Sequence, residues 1–473
     1  MISGKTIGQD RKPLESPTPT LFRRLIVKRI FPLIVFVLLL IVVIQSLMLW
    51  FNGNYQLAIN SPSGDIPHRL ILNWTDNPAT SVSVTWRTAV RVETPLAEIA
   101  LADASPNFVT WRTQVDAETQ QWEQGQHTAY FHTVTFTDLK PATLYAYRVG
   151  SRDVRTEWHQ FQTANTTPTP FTFIYFGDAQ TQLLSLWART IRNAVLNTPR
   201  ADFLLYAGDL VNRGKNDQDW QEWFQAAGWI HSQIPVLPSP GNHEYHLNLI
   251  GQPELSPLWY LQFTLPKNGP VGLKESTYYV DYQGARIISL NSNENIDLQA
   301  GWLETVLADN PHRWTFLTFH HPINSASGRR NNKKLRRAWK PLIDRYQIDL
   351  VLQGHDHAYA RGGLLGDSVK LRDKANGTVY VVSVSGPKQY RLRRASWMTR
   401  AAENTQLYQV ISVDGDRLSY RAMTVTGDVY DQFDLIKRDG KPNQLIENLP
   451  IDRTERRFSN TLKRKIRYFT VAD

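Results

Sequence analysis

Side chains that can bind metal ions recur in this chain directly after apolar segments. The clearest case is the pair His355 and His357, which stands where the apolar stretch LVLQ (350–353) meets a glycine. Positions i and i+2 of an extended chain face the same side, so the two imidazoles could face one point in space. A surface pair with ordinary polar partners would have the same spacing, so the rest of the sequence has to separate the two interpretations.

Four other apolar segments end in the same way. In chain order, the residues with suitable chemistry are Asp178 in GDAQ, Asp209 in GDLVNRG, Asn242 and His243 in GNHE, His320 and His321 in HHP, and His355 and His357 in GHDH. The chain has no Cys, so a metal must be held by imidazole, carboxylate or amide oxygen, and these donors suit Mn, Fe or Zn. Two such ions about 4 Å apart can clamp a phosphate and activate a water molecule.

The segments that must position these residues alternate between strand-like and helix-like patterns. The strand candidates are 171–176, 202–207, 234–240, 314–319 and 348–353, with a hairpin over 276–282 and 285–291; the helix candidates are 183–196, 217–230, 299–309 and 333–346. This alternation predicts an α/β domain with covered sheet faces over residues 171–435. Sites in such sheets form beyond the carboxyl ends of the strands, so five strands would deliver these side chains to one edge.

A different pattern precedes this domain. Residues 67–164 contain short segments of period 2, such as SVSVTW (81–86) and LYAYRVG (144–150), which predict an all-β antiparallel sandwich. The piece LKPATLYAYRVG resembles the fibronectin type III family, in which Leu139, Pro141 and Tyr145 would mark a corner between strands. No chemically competent residues cluster here, so we expect a spacer and packing partner, joined to the next domain by TANTTPTP (163–170).

The net charge of +10 is concentrated at the two ends of the 473-residue chain. Residues 1–30 hold seven Lys and Arg against two acidic residues, and residues 452–473 hold seven against three. Charge confined to the ends argues against a nucleic-acid groove and weakly for a membrane surface. We expect a basic cytoplasmic tail over 1–30 and a polar, basic C-terminal tail over 436–473.

Residues 31–51 contain no charge and are numerous enough to cross a hydrocarbon core of about 30 Å as a transmembrane helix. The positive flank is N-terminal, which predicts a cytoplasmic N-terminus and a catalytic domain outside the cytoplasm, either periplasmic or extracellular. The alternative is a cleaved signal peptide, although the apolar run is long for one. Residues 52–66 would then be a tether.

The ordered set Asp, Gly-Asp, Gly-Asn-His, His and Gly-His-x-His resembles the calcineurin-like metallophosphoesterase superfamily, with the purple acid phosphatases as the nearest branch, over about residues 67–430. The resemblance implies a metallophosphoesterase βαβ sandwich, two divalent or mixed-valence ions of Fe, Mn or Zn, and attack by a hydroxide that bridges them. It implies one ion on Asp178, Asp209 and His357, and the other on Asp209, Asn242, His320 and His355. His243 would contact phosphate or protonate the leaving oxygen.

Three positions depart from the family pattern. Asn212 stands where purple acid phosphatases have a metal-binding Tyr, and Gln180 stands where other members have a His. Gln180 or water would fill the first site through oxygen, which predicts weaker or more exchangeable binding. A substrate-contacting His of the purple branch is absent, so Arg329 or Arg330 would bind phosphate instead.

We expect three residues next to the ligands to support the site. His321 either orients a ligand or packs against the site. Asp356, between the two histidines of GHDH, points the other way and is expected to be structural. Glu244 is expected to support the site without binding metal.

The leading functional hypothesis is a membrane-anchored hydrolase of phosphate monoesters, similar to an acid phosphatase. One alternative is a phosphodiesterase of nucleotides or lipid head groups, which would use the same ions. Another is a non-catalytic envelope scaffold with a degraded first metal site, which Gln180 and Asn212 motivate. The natural substrate stays open.

Overall fold

The computed structural model describes residues 32–41, 43, 62–328, 330–363, 377–450 and 454–458. It divides into a unit Met1–Ile59 and a unit Asn60–Asp473. In the first unit, residues 32–41 are helical, and no helix among the described residues is long and apolar enough to cross a membrane. The predicted tail 1–30, most of the tether 52–66 and half of the predicted span 31–51 lie outside the described residues.

The predicted antiparallel sandwich is present at the start of the second unit. Its strands are β1 (His68–Asn73), β2 (Val82–Thr88), β3 (Leu96–Leu101), β4 (Thr113–Asp116), β5 (Glu118–Gln124), β6 (His127–Phe136), β7 (Leu144–Gly150) and β8 (His159–Gln162). They form two four-stranded sheets with the orders β1-β2-β6-β5 and β4-β3-β7-β8. The Tyr145 hydroxyl accepts a hydrogen bond from the Lys140 amide at 2.9 Å, which fixes the predicted corner before β7.

Two seven-stranded sheets and one two-stranded antiparallel sheet, formed by β12 and β13, make up the second domain. Its strands are β9 (Phe171–Phe176), β10 (Phe203–Tyr206), β11 (Val236–Pro238), β12 (Tyr245–Leu247), β13 (Pro253–Leu255), β14 (Tyr278–Tyr282), β15 (Ala285–Ser289), β16 (Trp314–Phe319), β17 (Leu350–Gln353), β18 (Tyr359–Gly363), β19 (Val379–Val382), β20 (Arg400–Ala402), β21 (Leu407–Asp414), β22 (Arg417–Thr424), β23 (Val429–Arg438) and β24 (Lys441–Glu447). The sheet orders are β11-β10-β9-β21-β22-β23-β24 and β14-β15-β16-β17-β19-β18-β20.

Alternating side chains explain how the two sheets and their helices pack. Phe316 of β16 lies between the sheets, where its ring is 5.6 Å from that of Phe173, whereas its neighbour Leu317 packs with Leu303 and Ile343 of the helices. Both faces of the strand are therefore buried, as expected for strands covered on both sides. The helices are α1 (Ala188–Asn197), α2 (Asp217–Ala227), α3 (Pro257–Gln262), α4 (Ile296–Ala308), α5 (Lys333–Ala338) and α6 (Lys340–Arg345).

Two predicted boundaries are corrected by the structure. The sheet does not stop at residue 435, because β23 continues to Arg438 and β24 adds an edge strand whose Asn443 contacts the buried Asp349. The predicted C-terminal tail therefore begins inside the sheet. The helix predicted over 333–346 is broken at Trp339, because Pro341 of the next turn has no N–H to donate to the preceding turn.

A buried ionic cluster joins the two domains. Arg69 of β1 donates to the carboxylate of Asp217 at 2.7 Å and to Gln221 at 2.7 Å, and Arg87 of β2 approaches the same carboxylate at 3.2 Å. Asp217 is the first residue of α2, whose start is capped by the side chain of Asn216. The negative charge of Asp217 therefore balances the positive charges of two guanidinium groups of the sandwich that contact the second domain.

Replacing Asp217 with Asn should lower the free energy of unfolding by about 3 kcal/mol, because two largely buried guanidinium groups would lose their counter-charge. Burial opposes ionisation of Asp217, but Arg69 and Arg87 outweigh it and lower its pKa. The stabilisation is thus present at neutral pH and is lost as pH falls below about 4. Urea unfolding measures the change, with Asp153→Asn at an exposed position as the control; equal stability of the two variants would contradict the prediction.

Candidate metal centre

The loops after five strands meet at one edge of the second domain. They carry the six predicted ligands: Asp178 after β9, Asp209 after β10, Asn242 after β11, His320 after β16, and His355 and His357 after β17. Backbone contacts hold the loops together across the two sheets. The His355 amide donates to Asp178 Oδ2 at 2.7 Å, and the Gly354 amide donates to the His320 carbonyl at 3.0 Å.

One group of ligand atoms comes from Asp209, His320 and His355, which lie within 4.8 Å of one another. His320 Nε2 is 3.2 Å from Asp209 Oδ2 and 3.1 Å from Asn242 Oδ1. His320 Nδ1 donates to the carbonyl of Ala207 at 2.9 Å. That hydrogen bond fixes the ring so that Nε2 faces the group, a common way to orient an imidazole ligand.

A second group comes from Asp178, Asp209 and His357, again within 4.8 Å of one another. His357 Nδ1 donates to the carbonyl of Lys388 at 2.8 Å, and its Nε2 is 3.6 Å from Asp178 Oδ1. Among the described residues, Asp178 Oδ1 is buried without a hydrogen-bond partner. An oxygen and an oriented ring nitrogen that converge in this way fit a cation, and Asp209 belongs to both groups.

The pKa shifts favour the metal-binding form for three of the ligands and the protonated form for two others. Burial lowers the pKa of His357 to about 3, and burial with the neighbouring His320 lowers the pKa of His355 further. Burial opposes ionisation of Asp209, but His320 outweighs it and lowers the pKa of Asp209 below its usual value. Neutral imidazoles and a carboxylate are the forms that bind metal. Burial opposes protonation of His320, but the Asp209 carboxylate outweighs it and raises the pKa of His320 to about 9, and burial raises the pKa of Asp178, so a cation at these two side chains would displace a proton. The donors present thus fit two cations, and their assignment as ligands stays a prediction.

Left-handed backbone occurs in three of the six ligands and in Gln180. Asp209, His355 and His357 have φ values of 51°, 72° and 44°, and Gln180 has 51°. Non-glycine residues in this left-handed region cost about 1–3 kcal/mol each, so the surrounding structure must hold them there. Strained residues of this kind are frequent at functional sites, and the hydrophobic pattern of the sequence does not reveal which residues are strained.

The glycine before Asn242 is required by a close approach. A Cβ atom at Gly241 would lie 2.2 Å from Asp209 Oδ1 and 2.3 Å from the Asp209 amide nitrogen. Only a residue without a side chain allows the loop after β11 to pass the Asp209 carboxylate. The Gly-Asn-His order thus has a direct steric cause.

Glu244 supports Asp209 through the backbone, in agreement with its expected role. Its fully buried carboxylate accepts four amide hydrogen bonds, from Asp209 (2.9 Å), Leu210 (2.9 Å), Val211 (3.3 Å) and Gly241 (2.7 Å). Burial raises the pKa of Glu244 to about 7, and the four donors act against that shift because they favour the charged form. The carboxylate ties the loop after β10 to the loop after β11.

Replacing Glu244 with Gln should weaken metal binding by about 10–100-fold, the usual effect of removing a group that orients ligands. The amide NH2 of Gln is itself a donor and would face backbone N–H groups whose hydrogen bonds the carboxylate now accepts. Calorimetric titration of the metal-free protein with Mn²⁺ measures the change, and Glu118→Gln on the exposed face of the sandwich is the control. Unchanged affinity in Glu244→Gln would show that the loop needs no such support.

His243 lies beside the Asp209 carboxylate, and part of its ring is exposed. Its Nδ1 donates to the carbonyl of Asn212 at 2.6 Å, and its Nε2 is 4.0 Å from Asp209 Oδ2. The His243 amide also donates to Asp209 Oδ1 at 3.0 Å. The backbone therefore orients the His243 ring, and Nε2 belongs to neither of the two ligand groups.

His321 and Asp356 border the ligands. The His321 ring is 4.2 Å from that of His355, and its Nδ1 is 2.9 Å from Ser292 Oγ, contacts that allow it both to pack on and to orient His355. Asp356 is fully buried and accepts hydrogen bonds from Ser325 Oγ at 2.7 Å and from the Ser327 amide at 3.3 Å. Asp356 therefore has the structural role expected of it.

A cationic and aromatic surface adjoins the second ligand group. Arg330 donates to the His355 carbonyl at 2.7 Å and to Asp356 at 3.0 Å, and its guanidinium lies 5.2 Å from the Tyr390 ring centre. Tyr390 in turn packs on His357 with ring centres 4.5 Å apart. Sequence analysis did not identify Tyr390, for which the only signal is an aromatic residue in a basic segment. Arg329 lies outside the described residues.

Comparison with known families agrees with this architecture. A family model described as calcineurin-like phosphoesterase matches residues 171–359, and one described as purple acid phosphatase, N-terminal domain matches residues 67–163. An uncharacterized protein of Mycobacterium tuberculosis is 26% identical over an alignment of 375 residues, and the match covers 67% of this chain and 69% of that protein. Purple acid phosphatase 15 of Arabidopsis thaliana is 26% identical over 266 residues, 49% of each chain. The chain thus spans about half the length of that plant relative.

Two solved structures share the fold. Purple acid phosphatase PPD1 from yellow lupin seeds superposes with a TM-score of 0.67 at 17% identity, covering 78% of this chain and 74% of that one. PhoD superposes with a TM-score of 0.62 at 14% identity, covering 86% and 97%. The chain thus contains a purple acid phosphatase N-terminal domain over residues 67–163, followed by a calcineurin-like phosphoesterase domain over residues 171–359.

Proposed function

We propose that this protein hydrolyses phosphate monoesters at a centre of two metal ions held by the two ligand groups. The observation that carries the proposal is the position of Asp209, which belongs to both groups. A shared carboxylate of this kind is what holds two cations close enough to clamp one phosphate. When bound, such ions supply Lewis-acid activation of water and stabilise the charge that develops on phosphorus.

Individual residues of this chain would bind the ions, supply a proton to the leaving group and bind the phosphate. Asp178, Asn242, His320, His355 and His357 would hold the ions together with Asp209. His243, oriented through Nδ1, can hold a proton on Nε2 for the leaving oxygen. Arg330 would bind a phosphate oxygen through the guanidinium nitrogens other than Nη1, because Nη1 donates to the His355 carbonyl and to Asp356.

We further infer that residues 31–51 anchor the chain in a membrane, with the N-terminus cytoplasmic and the catalytic domain outside the cytoplasm. The uncharged stretch and its N-terminal basic flank support this arrangement. Fractionation of cells that express the full chain tests it. Recovery of the intact protein in the membrane-free fraction would contradict an anchor.

A phosphoester panel tests the catalytic proposal. The full chain is stripped with a chelator and supplied with Mn²⁺, Zn²⁺ or Fe²⁺, and its metal content is measured beside its turnover of aryl phosphate monoesters and diesters. We expect two ions per chain, loss of turnover after chelation and faster cleavage of the monoester. Faster cleavage of the diester would favour a phosphodiesterase, and one ion per chain with no turnover of either ester would favour a scaffold.

A further inference from the structure

Gln180 is a buried amide on the loop after β9 that also carries Asp178 of the second ligand group. Its side chain is 1% exposed, and neither Oε1 nor Nε2 has a hydrogen-bond partner among the described residues. A buried amide without hydrogen bonds costs about 1–3 kcal/mol. A polar group kept at such a cost is available to a partner that protein atoms do not supply, and its surroundings decide whether such a partner binds.

The position of Gln180 indicates what that partner is. The residue follows Asp178 by two positions, and its backbone amide donates to the carbonyl of Asp209 at 3.0 Å. Asp178 Oδ1 is likewise buried and partnerless. The partnerless amide and the partnerless carboxylate oxygen thus stand two residues apart, on a loop that is hydrogen-bonded to the bridging residue.

We propose that the Oε1 atom of Gln180 is a ligand of the ion held by Asp178, Asp209 and His357. This inference rests on the proposed function and extends it to metal selectivity. The site would then have three oxygen donors and one imidazole, whereas the other site has two imidazoles, from His320 and His355. Oxygen-rich sites suit Mn²⁺ or Mg²⁺, and sites with more imidazole suit Zn²⁺ or Fe²⁺. The two sites therefore differ in metal preference, and the Gln180 site exchanges its ion more readily.

Substitution of Gln180 tests the assignment by metal binding, without a need for turnover. The full chain is stripped of metal and titrated calorimetrically with Mn²⁺ and with Zn²⁺. Gln180→Met keeps the length of the side chain but removes the oxygen, and we expect Mn²⁺ affinity at the weaker site to fall at least about tenfold. Gln180→His should raise Zn²⁺ affinity at that site, and Gln180→Glu should keep or raise Mn²⁺ affinity.

The matched control is Gln353→Met. Gln353, the last residue of β17, is also fully buried with both polar atoms partnerless, but it lies on the face of the strand that carries Val351 and packs against the helices. We expect its substitution to leave both affinities unchanged. Equal losses in Gln180→Met and Gln353→Met, or no loss in either, would overturn the assignment. Failure of the unmodified chain to bind two ions would instead overturn the proposed function, so the two failures are distinguishable.

Discussion

Replacing Asp209 with Asn is expected to abolish phosphoester hydrolysis and to remove at least one metal ion per chain. Asp209 is the one residue shared by the two ligand groups among the described residues, and its Oδ2 atom is 3.2 Å from His320 Nε2. Asn has a single neutral oxygen, so it would weaken both sites and remove the charge between the cations. Loss of several kcal/mol of transition-state stabilisation corresponds to about a thousandfold or more in rate.

Elemental analysis of the purified variant, together with an assay of its turnover, checks this prediction. Asn at this position keeps the backbone contacts with Glu244, so the variant should fold, and thermal unfolding of the metal-free proteins tests that. Asp416→Asn, at an exposed loop position, is the control and should behave as the unmodified chain does. A variant that keeps two ions and full turnover would show that the carboxylate does not bridge them.

Replacing His243 with Ala is expected to lower kcat for an alkyl phosphate by about 10²–10⁴-fold while the metal content stays unchanged. The imidazole is oriented by the carbonyl of Asn212 and its Nε2 lies outside both ligand groups, at 4.0 Å from Asp209 Oδ2. It can therefore protonate a leaving oxygen without holding an ion. A nitrophenyl ester should lose less, because its leaving group departs without a proton.

The comparison of the two esters separates proton transfer from a general loss of structure. An equal loss of rate for the alkyl and the nitrophenyl ester would contradict the role of proton donor. Loss of an ion together with the rate would instead make His243 a ligand. His127→Ala, in an exposed part of β6, controls for the removal of an imidazole elsewhere.

The position of the ligands could be predicted from the sequence because strand ends are local features. An apolar run followed by Gly and a polar residue marks where Asp209 and His355 leave their strands, and parallel strands then bring such residues to one edge. The role of Glu244 was expected only in outline. Its four amide partners come from two separate loops, and no local pattern indicates such an arrangement.

Other features depend on contacts between distant segments and were missed for that reason. The sequence of β24 is typical of a polar tail, because most of its side chains are exposed. Only long-range contacts, such as that of Asn443 with Asp349, attach it to the sheet. Tyr390 packs on His357 from a segment more than thirty residues away. Hydrophobic periodicity carries no information about either contact.

The left-handed backbone at Asp209, His355 and His357 has a consequence for engineering of this protein. Glycine would adopt each of these conformations without strain, so a selection for heat resistance alone would favour glycine there and would discard the side chains that hold the ions. Thermostable variants of this chain should therefore be sought in its domain junction and sheet edges, with these loops kept fixed.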